Sequence, residues 1–199
     1  LNDDIEKLQA LKVDYLFTPN NDAIYPLGKE VHTSVEVNRM GAMLCGESRP
    51  GHFRGVTTVV NILFNIVQPD VAVFGKKDYQ QFKIIQAMVN DLMLPIEIIG
   101  GEILREENGL AMSSRNGYLS AQEKQQASLL RQIILQTANA LKQGEDITSI
   151  LNSAINKLQK NHFKVDYFTI VRCDDLEPAR QGDSQLLIAA AAWLGQPRL

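Results

Sequence analysis

Residues 71–81, which read VAVFGKKDYQQ, set the architecture expected of this chain. The apolar run from Val71 to Phe74 is typical of a short buried strand, and Gly75 follows it at once. Apolar residues then recur at helical spacing from Asp78 to Leu94, so the glycine marks a turn from strand to helix. Such turns lie at the carboxyl ends of strands in open α/β sheets, where these sheets bind ligands.

The flanking segments extend this unit into a repeating α/β pattern. Residues 55–67 show helical apolar spacing, and residues 96–99 form another short apolar strand after Pro95. Helix, strand, helix and strand in this order indicate right-handed crossovers and a parallel sheet. Further upstream, the patterns predict a helix up to Leu11 that Asn2 caps, followed by strands at residues 13–17 and 31–37.

The second half of the chain has a different pattern. Ser120 and Glu123 form a capping box before a long helix, and a second helix follows Gly144. Two strands are predicted after these helices, at residues 165–171 and 186–194. Two helices followed by two strands indicate a small α+β domain. We therefore predict one domain over residues 1–101 and a second over residues 102–199.

Composition narrows the classes of function. The 199 residues are 45% hydrophobic and carry a formal net charge of −3, which gives no basic field for nucleic acid. No apolar run reaches the ~20 residues of a membrane helix. The two cysteines, Cys45 and Cys173, have no metal-binding spacing and are expected to be free thiols in a cytoplasmic protein. Because the chain opens without Met on an apparent helix, we expect it to lack an N-terminal segment.

Two segments carry polar chemistry suited to phosphate. After Gly75, Lys77 can neutralise a phosphate, and Asp78 can hold a ribose hydroxyl. An exposed lysine pair and an aspartate that caps the next helix explain the same residues. In residues 110–117, LAMSSRNG, two serines and Arg115 can surround a polyphosphate. The alternative there is a serine-rich turn that ends in an Asn-Gly hairpin.

A third polar segment, residues 48–55 (SRPGHFRG), leads into the first long helix. His52 stands between two arginines in this segment, so it could lie near an anionic site. A single histidine at a helix start is more often a structural donor.

Taken in order, these segments resemble the pantoate–beta-alanine ligases of coenzyme A biosynthesis. The similar stretches are residues 49–55, 67–70, 74–81, 108–117 and 191–195. The resemblance implies a Rossmann-like, cytidylyltransferase-like nucleotidyl-transfer fold: an N-terminally incomplete parallel sheet with a smaller C-terminal α+β lid domain. It also implies a homodimer formed through the Rossmann-like domain.

The resemblance further implies the roles of individual residues. Gln81 matches a glutamine that binds pantoate, and the backbone of Leu104 matches a contact to adenine. Lys77 is expected at the α-phosphate, and Ser113, Ser114 and Arg115 at the leaving pyrophosphate. The implied ATP-binding residues are Gly75, Lys76, Lys77, Asp78, Leu104, Met112, Ser113, Ser114 and Arg115.

The implied reaction has two steps. Pantoate attacks the α-phosphorus of ATP and releases pyrophosphate, and the amine of beta-alanine then displaces AMP from pantoyl adenylate. Mg²⁺ is expected on the phosphates, and its protein ligands stay unassigned, although Asp3 and Asp4 lie in an acidic stretch of the family.

One family motif is missing from this sequence. Members carry a His-x-Gly-His motif that binds phosphates, and no such motif occurs here. We therefore expect the 199-residue chain to be inactive by itself. Two other interpretations stay open at this point. One is a nucleotidyltransferase of the same superfold, and the other is a non-catalytic nucleotide-binding or dimerisation module.

Overall fold

A computed structural model describes residues 1–180 and 182–199, and within them the strands form two separate two-stranded sheets. Strand β1 (Val71–Gly75) pairs in parallel with β2 (Glu97–Gly101), and β3 (Lys164–Arg172) pairs antiparallel with β4 (Leu186–Trp193). The α-helices are α1 (Asn2–Ala10), α2 (Asn21–Ile24), α3 (Asn38–Gly41), α4 (Cys45–Ser48), α5 (His52–Val67), α6 (Tyr79–Asp91), α7 (Ala121–Lys142) and α8 (Ile147–Lys160).

Helix α6 connects the two parallel strands, as the apolar spacing predicts. Its inner face buries Ile84, Ile85 and Met88 almost completely. Helix α5 packs on the same cluster, where the ring of Phe64 meets the edge of Phe74 at a centroid distance of 6.3 Å. The α/β fold class with a parallel sheet and a smaller antiparallel C-terminal domain is thus confirmed.

The C-terminal helices and strands form a second core. Leu158 of α8 is fully buried against α7 and the antiparallel sheet, together with Ala192 of β4. The predicted capping box is present, because Ser120 accepts the Glu123 N–H and the Glu123 carboxylate accepts the Ser120 N–H. The change of sheet type after Gly101 agrees with a boundary there, but the division at residues 101 and 102 stays a prediction.

Two predicted strands are wrong. Residues 13–17 form no strand, and Val13 and Phe17 are 45% and 53% exposed. Residues 31–37 form no strand either, since Val31 ends a 3-10 helix over Lys29–Val31, and at Val35 helix α5 takes the place of a neighbouring strand. Thr58 accepts the N–H of Val35, and the Thr57 hydroxyl donates to the Val35 carbonyl. Alternating apolar residues cannot distinguish these two ways of satisfying a backbone.

Helix ends differ in smaller ways. The first helix begins at Asn2 itself, so the cap residue is Leu1 and no side chain caps this helix. The helical apolar spacing up to Leu94 predicts that Leu92 faces inward. Helix α6 ends at Asp91, however, and Leu92 is 46% exposed. No helix among the described residues has the length and apolar character needed to cross a membrane.

Candidate functional site

The main cavity of about 530 Å³ lies where the turn after β1 faces the C-terminal sheet. Lys77, Asp78 and Gln81 line one side of it, and residues 186–191 of β4 line the other. Ser113 and Arg115 contribute from the segment that joins the two cores. The sequence segments that carry phosphate chemistry therefore meet in one cavity, at the carboxyl end of the parallel sheet.

The cavity wall is strongly cationic although the whole chain is slightly acidic. Asp78 is the single acidic side chain among the described lining residues, against six lysines and arginines. Burial lowers the pKa of Arg105, and the neighbouring charge of Arg131 lowers it further. Lys76 and Arg198 already form ion pairs with carboxylates outside the wall. The other four cations make no ion pair among the described residues and favour a bound polyanion. The six are Lys76, Lys77, Arg105, Arg115, Arg131 and Arg198.

The two adjacent lysines have different surroundings. Lys76 forms an ion pair with Glu102, whereas Lys77 makes no ion pair or side-chain hydrogen bond within the described residues. Asp78 stands at the N-cap of α6, but its side chain makes no capping hydrogen bond. The helix-capping alternative for Asp78 is therefore confirmed in position only, since no capping hydrogen bond occupies its carboxylate. The charge of Lys77 and the carboxylate of Asp78 both stay available to a ligand.

The serine-rich segment is a short 3-10 helix over Ser114–Tyr118, so the hairpin alternative is wrong. The hydroxyl of Ser113 accepts the Arg115 N–H at 3.2 Å. Buried Asn116 holds the turn by donating to Glu106 Oε1 at 2.6 Å and to the Ala111 carbonyl at 3.0 Å. The guanidinium of exposed Arg115 makes no ion pair within the described part of the chain, which leaves its donors free.

The structure brings together six of the ten site residues implied by the sequence, and four lie outside the cavity wall. The six are Lys76, Lys77, Asp78, Gln81, Ser113 and Arg115. The four are Gly75, Leu104, Met112 and Ser114. Leu104 is 72% exposed, and its carbonyl already accepts the Met112 N–H at 2.9 Å.

Gln80 is a site residue that the sequence analysis missed. It is buried beside Gln81, and its side-chain amide joins α6 to residues 40–45, which run from the end of α3 to the start of α4. Its Nε2 donates to the carbonyls of Met40 at 2.8 Å and Met43 at 2.7 Å. Its Oε1 accepts the Cys45 N–H at 3.1 Å. No local pattern distinguishes Gln80 from Gln81, because the burial of Gln80 depends on a segment 35 to 40 residues away.

We expect Gln80→Met to lower the free energy of unfolding by about 1–3 kcal/mol, because the change leaves buried backbone groups without partners. Gln86→Met on the same helix is the matched control, since Gln86 makes no side-chain hydrogen bond among the described residues. Urea unfolding of both variants measures the difference. Equal stability of the two variants would contradict the clamping role of Gln80.

A polar cluster next to the cavity joins the two cores. Arg198 donates to Asp166 Oδ2 at 2.6 Å, and Ser48 donates to the same oxygen at 3.1 Å. The Cys45 thiol lies 3.1 Å from the Tyr167 hydroxyl. Burial, with the thiol beside it, raises the pKa of Tyr167, so this phenol stays protonated at neutral pH. The residues of this cluster are far apart in sequence, and no sequence motif predicts that they meet.

His52 begins α5 and also lines the cavity. Burial lowers the pKa of its imidazole, and the positive charges of Arg49, Arg115 and Arg198 lower it further, against an opposing effect of Asp78. His52 is therefore neutral at neutral pH. His52 therefore lies in the cationic wall of the cavity, and the binding of an anion beside it stays a prediction.

Comparison with known proteins agrees with this geometry. The family model of pantoate-beta-alanine ligase matches residues 1–199. The chain belongs to the pantoate–beta-alanine ligase family. Among curated members, a pantothenate synthetase of Shewanella loihica is 52% identical over 96% of this chain and 68% of its own length. A pantothenate synthetase of Hahella chejuensis is 51% identical over 100% of this chain and 71% of its own length.

Solved structures of the family superimpose on this chain. The pantothenate synthetase of Thermus thermophilus has a TM-score of 0.92 at 38% identity, over 100% of this chain and 72% of its own length. A pantoate-beta-alanine ligase from Francisella tularensis, solved with beta-gamma ATP and beta-alanine, has a TM-score of 0.78 at 31% identity. That match covers 100% of this chain and 67% of the Francisella chain. Because the family model matches residues 1–199, the ligase assignment is favoured over the nucleotidyltransferase and the non-catalytic module.

Proposed function

We propose that this chain supplies part of the active site for the ligase chemistry of its family, which joins pantoate to beta-alanine at the expense of ATP, with pantoyl adenylate as the intermediate. The observation that carries the proposal is the meeting of unpaired Lys77 and Arg115 with Gln81 in one cationic cavity. A ligase that forms an adenylate needs positive charge around a triphosphate and a polar group for the acid beside it. The Francisella relative, solved with an ATP ligand and beta-alanine, supports both substrates.

The first step transfers the adenylyl group. The pantoate carboxylate attacks the α-phosphorus of ATP, and the bond to pyrophosphate breaks. Lys77 stabilises the charge that develops on the α-phosphate, and Arg115 with Ser113 and Ser114 stabilises the departing pyrophosphate. Gln81 hydrogen-bonds pantoate and aligns it for attack.

The remaining roles follow the order of the chain. The turn of Gly75, Lys76 and Asp78 holds ribose and phosphates, and the pairing of Lys76 with Glu102 makes Lys76 the weaker phosphate ligand of the two lysines. Leu104 contacts adenine through its backbone, and Met112 borders the polyphosphate. Since Gly75, Leu104, Met112 and Ser114 lie outside the present cavity wall, we propose that the C-terminal domain closes as a lid over bound ATP.

Mg²⁺ fits this site through ATP and not through a protein cage. Among the described residues no cluster of three His, Cys, Asp or Glu side chains could hold a metal ion. Mg²⁺ commonly keeps its waters and binds substrate phosphates with one or two carboxylates. Asp78 is the carboxylate in the wall that would take this place. The ion would neutralise phosphate charge beside Lys77.

Pyrophosphate release from ATP, measured with and without pantoate, tests the proposal. Two proteins are compared: the 199-residue chain, and a fusion that adds the N-terminal segment of the Shewanella loihica synthetase, which is expected to carry the His-x-Gly-His motif. We expect pantoate-dependent release from the fusion and little from the chain alone. No pantoate-dependent release from either protein would overturn the ligase assignment.

Two further properties of the family are proposed for this chain. We propose a homodimer formed through the parallel-sheet domain, which sedimentation equilibrium at several concentrations would measure. We also propose a cytoplasmic location, which fits two free cysteines and a substrate drawn from the cellular ATP pool.

A further inference from the structure

We propose that His52 is the base that takes a proton from the ammonium group of beta-alanine in the second step. This inference rests on the proposed function, since it concerns the same cavity and the same substrates. An alkylamine such as a lysine side chain has a pKa near ~10.4, so the amine of beta-alanine reaches the site almost entirely as an ammonium ion. Its nitrogen has no lone pair for attack until a proton leaves.

Elimination among the lining residues points to His52. Lysine and arginine side chains offer no acceptor as cations. Tyr79 and Tyr167 have raised pKa values, each mainly because of burial, so both phenols are protonated. A carboxylate is intrinsically a weaker base than a neutral imidazole. Among the described lining residues, His52 is the one neutral nitrogen base.

The imidazole is also free to act. Neither of its ring nitrogens makes a hydrogen bond within residues 1–180 and 182–199. Its ring packs against Phe53, with ring centroids 4.9 Å apart, and Phe53 is itself buried. The main chain is fixed as well, since the His52 N–H donates to the Arg49 carbonyl at 3.1 Å. The neighbouring residues thus orient the imidazole ring, and its nitrogens stay free to accept a proton.

The charges that face His52 suit this role. Arg49 precedes it on its own segment, Arg115 faces it from the 3-10 helix, and Arg198 faces it from the C-terminal strand region. Asp78, at the start of α6, is the one acidic group among these neighbours. Burial together with the three guanidinium groups keeps the imidazole unprotonated, and these groups also attract the carboxylate end of beta-alanine.

The ammonium gives one proton to an imidazole nitrogen of His52, and the freed lone pair forms the C–N bond at the pantoyl carbonyl carbon. The carbonyl C–O bond to AMP then breaks. The second proton leaves nitrogen to the departing phosphate oxygen or to water, and His52 returns its proton to solvent. No oxidant, reductant or further co-reactant is required.

The test separates the two half-reactions. The test uses the protein that shows pantoate-dependent pyrophosphate release, which is either the chain or the fusion. His52→Gln is made in that protein, and His162→Asn in the same protein is the matched control. His162 is exposed, lies outside the cavity and has a positive φ of 62°, which asparagine tolerates. Pantoyl adenylate is formed first, beta-alanine is added, and pantothenate is measured by rapid quench.

We expect His52→Gln to slow pantothenate formation about a hundredfold at neutral pH, far more than it slows pyrophosphate release, in line with the usual effect of a general base. The pH profile adds a second readout. The unaltered enzyme should be flat through neutral and mildly alkaline pH, whereas the variant should gain about tenfold per pH unit as free amine accumulates.

Each contrary outcome has a separate meaning. Equal loss in both half-reactions would assign His52 a structural or ATP-binding role and overturn the inference. An unchanged second step, or parallel pH profiles, would also overturn it and leave the departing phosphate as the acceptor. If the unaltered protein forms no pantoyl adenylate, the proposed function itself fails, and the inference fails with it.

Discussion

Lys77→Met is expected to slow the pantoate-dependent pyrophosphate release of the active protein, the fusion, about a hundredfold to a thousandfold. This is the range found when one preorganised donor to a developing charge is removed. The physical reason is that Lys77 is a cavity lysine with no carboxylate partner within the described residues, so its whole charge acts on the bound phosphate. Methionine keeps most of the side-chain volume and removes the charge. Rapid-quench measurement of the first step gives the effect directly.

Two control variants test the specificity of that effect. Lys76→Met should cost much less, because Glu102 already neutralises Lys76. Lys160→Met, at the end of α8 and away from the cavity, should leave the rate within about twofold. If Lys76→Met is the more damaging of the two neighbouring changes, the assignment of the α-phosphate contact to Lys77 is wrong.

Arg115→Ala is expected to lower the same rate about a hundredfold and to raise the KM for ATP. The guanidinium has no ion pair among the described residues and shares the cavity with Lys77, so its loss removes a two-pronged donor to the polyphosphate. The KM for pantoate should change little, because Gln81 is expected to hold that substrate.

Arg115→Lys separates charge from geometry. Lysine keeps the positive charge but loses the planar fork, so we expect it to recover only part of the activity. The matched control is Arg180→Ala, since Arg180 is exposed and lies outside the cavity. Full recovery by lysine would show that charge alone matters at this position. An unchanged rate in Arg115→Ala would remove Arg115 from the site.

The parallel unit could be predicted because its signals are local. Strand β1, the turn at Gly75 and helix α6 follow directly from apolar spacing over residues 71–91. The capping box at Ser120 is likewise a matter of four consecutive residues. The failures have the opposite origin. Residues 31–37 alternate like a strand, yet Thr57 and Thr58 of helix α5 bind the backbone of Val35.

The same division holds for the candidate site. Lys77, Asp78, Gln81 and Arg115 were named from short segments, because their resemblance to a family is carried by residues adjacent in sequence. Gln80 and Arg198 were not. Their roles depend on partners such as Met40 and Asp166, which lie tens of residues away along the chain.

By itself, the sequence determined the fold class, the family and the segments that carry phosphate chemistry, because periodicity and motifs are written in neighbouring residues. Only the tertiary structure decided which of two adjacent lysines keeps a free charge, that the Asp78 carboxylate makes no capping hydrogen bond, and that His52 stays neutral among three arginines. Charge and protonation depend on distances between residues remote in sequence and on burial from water, and both exist only once the chain has folded.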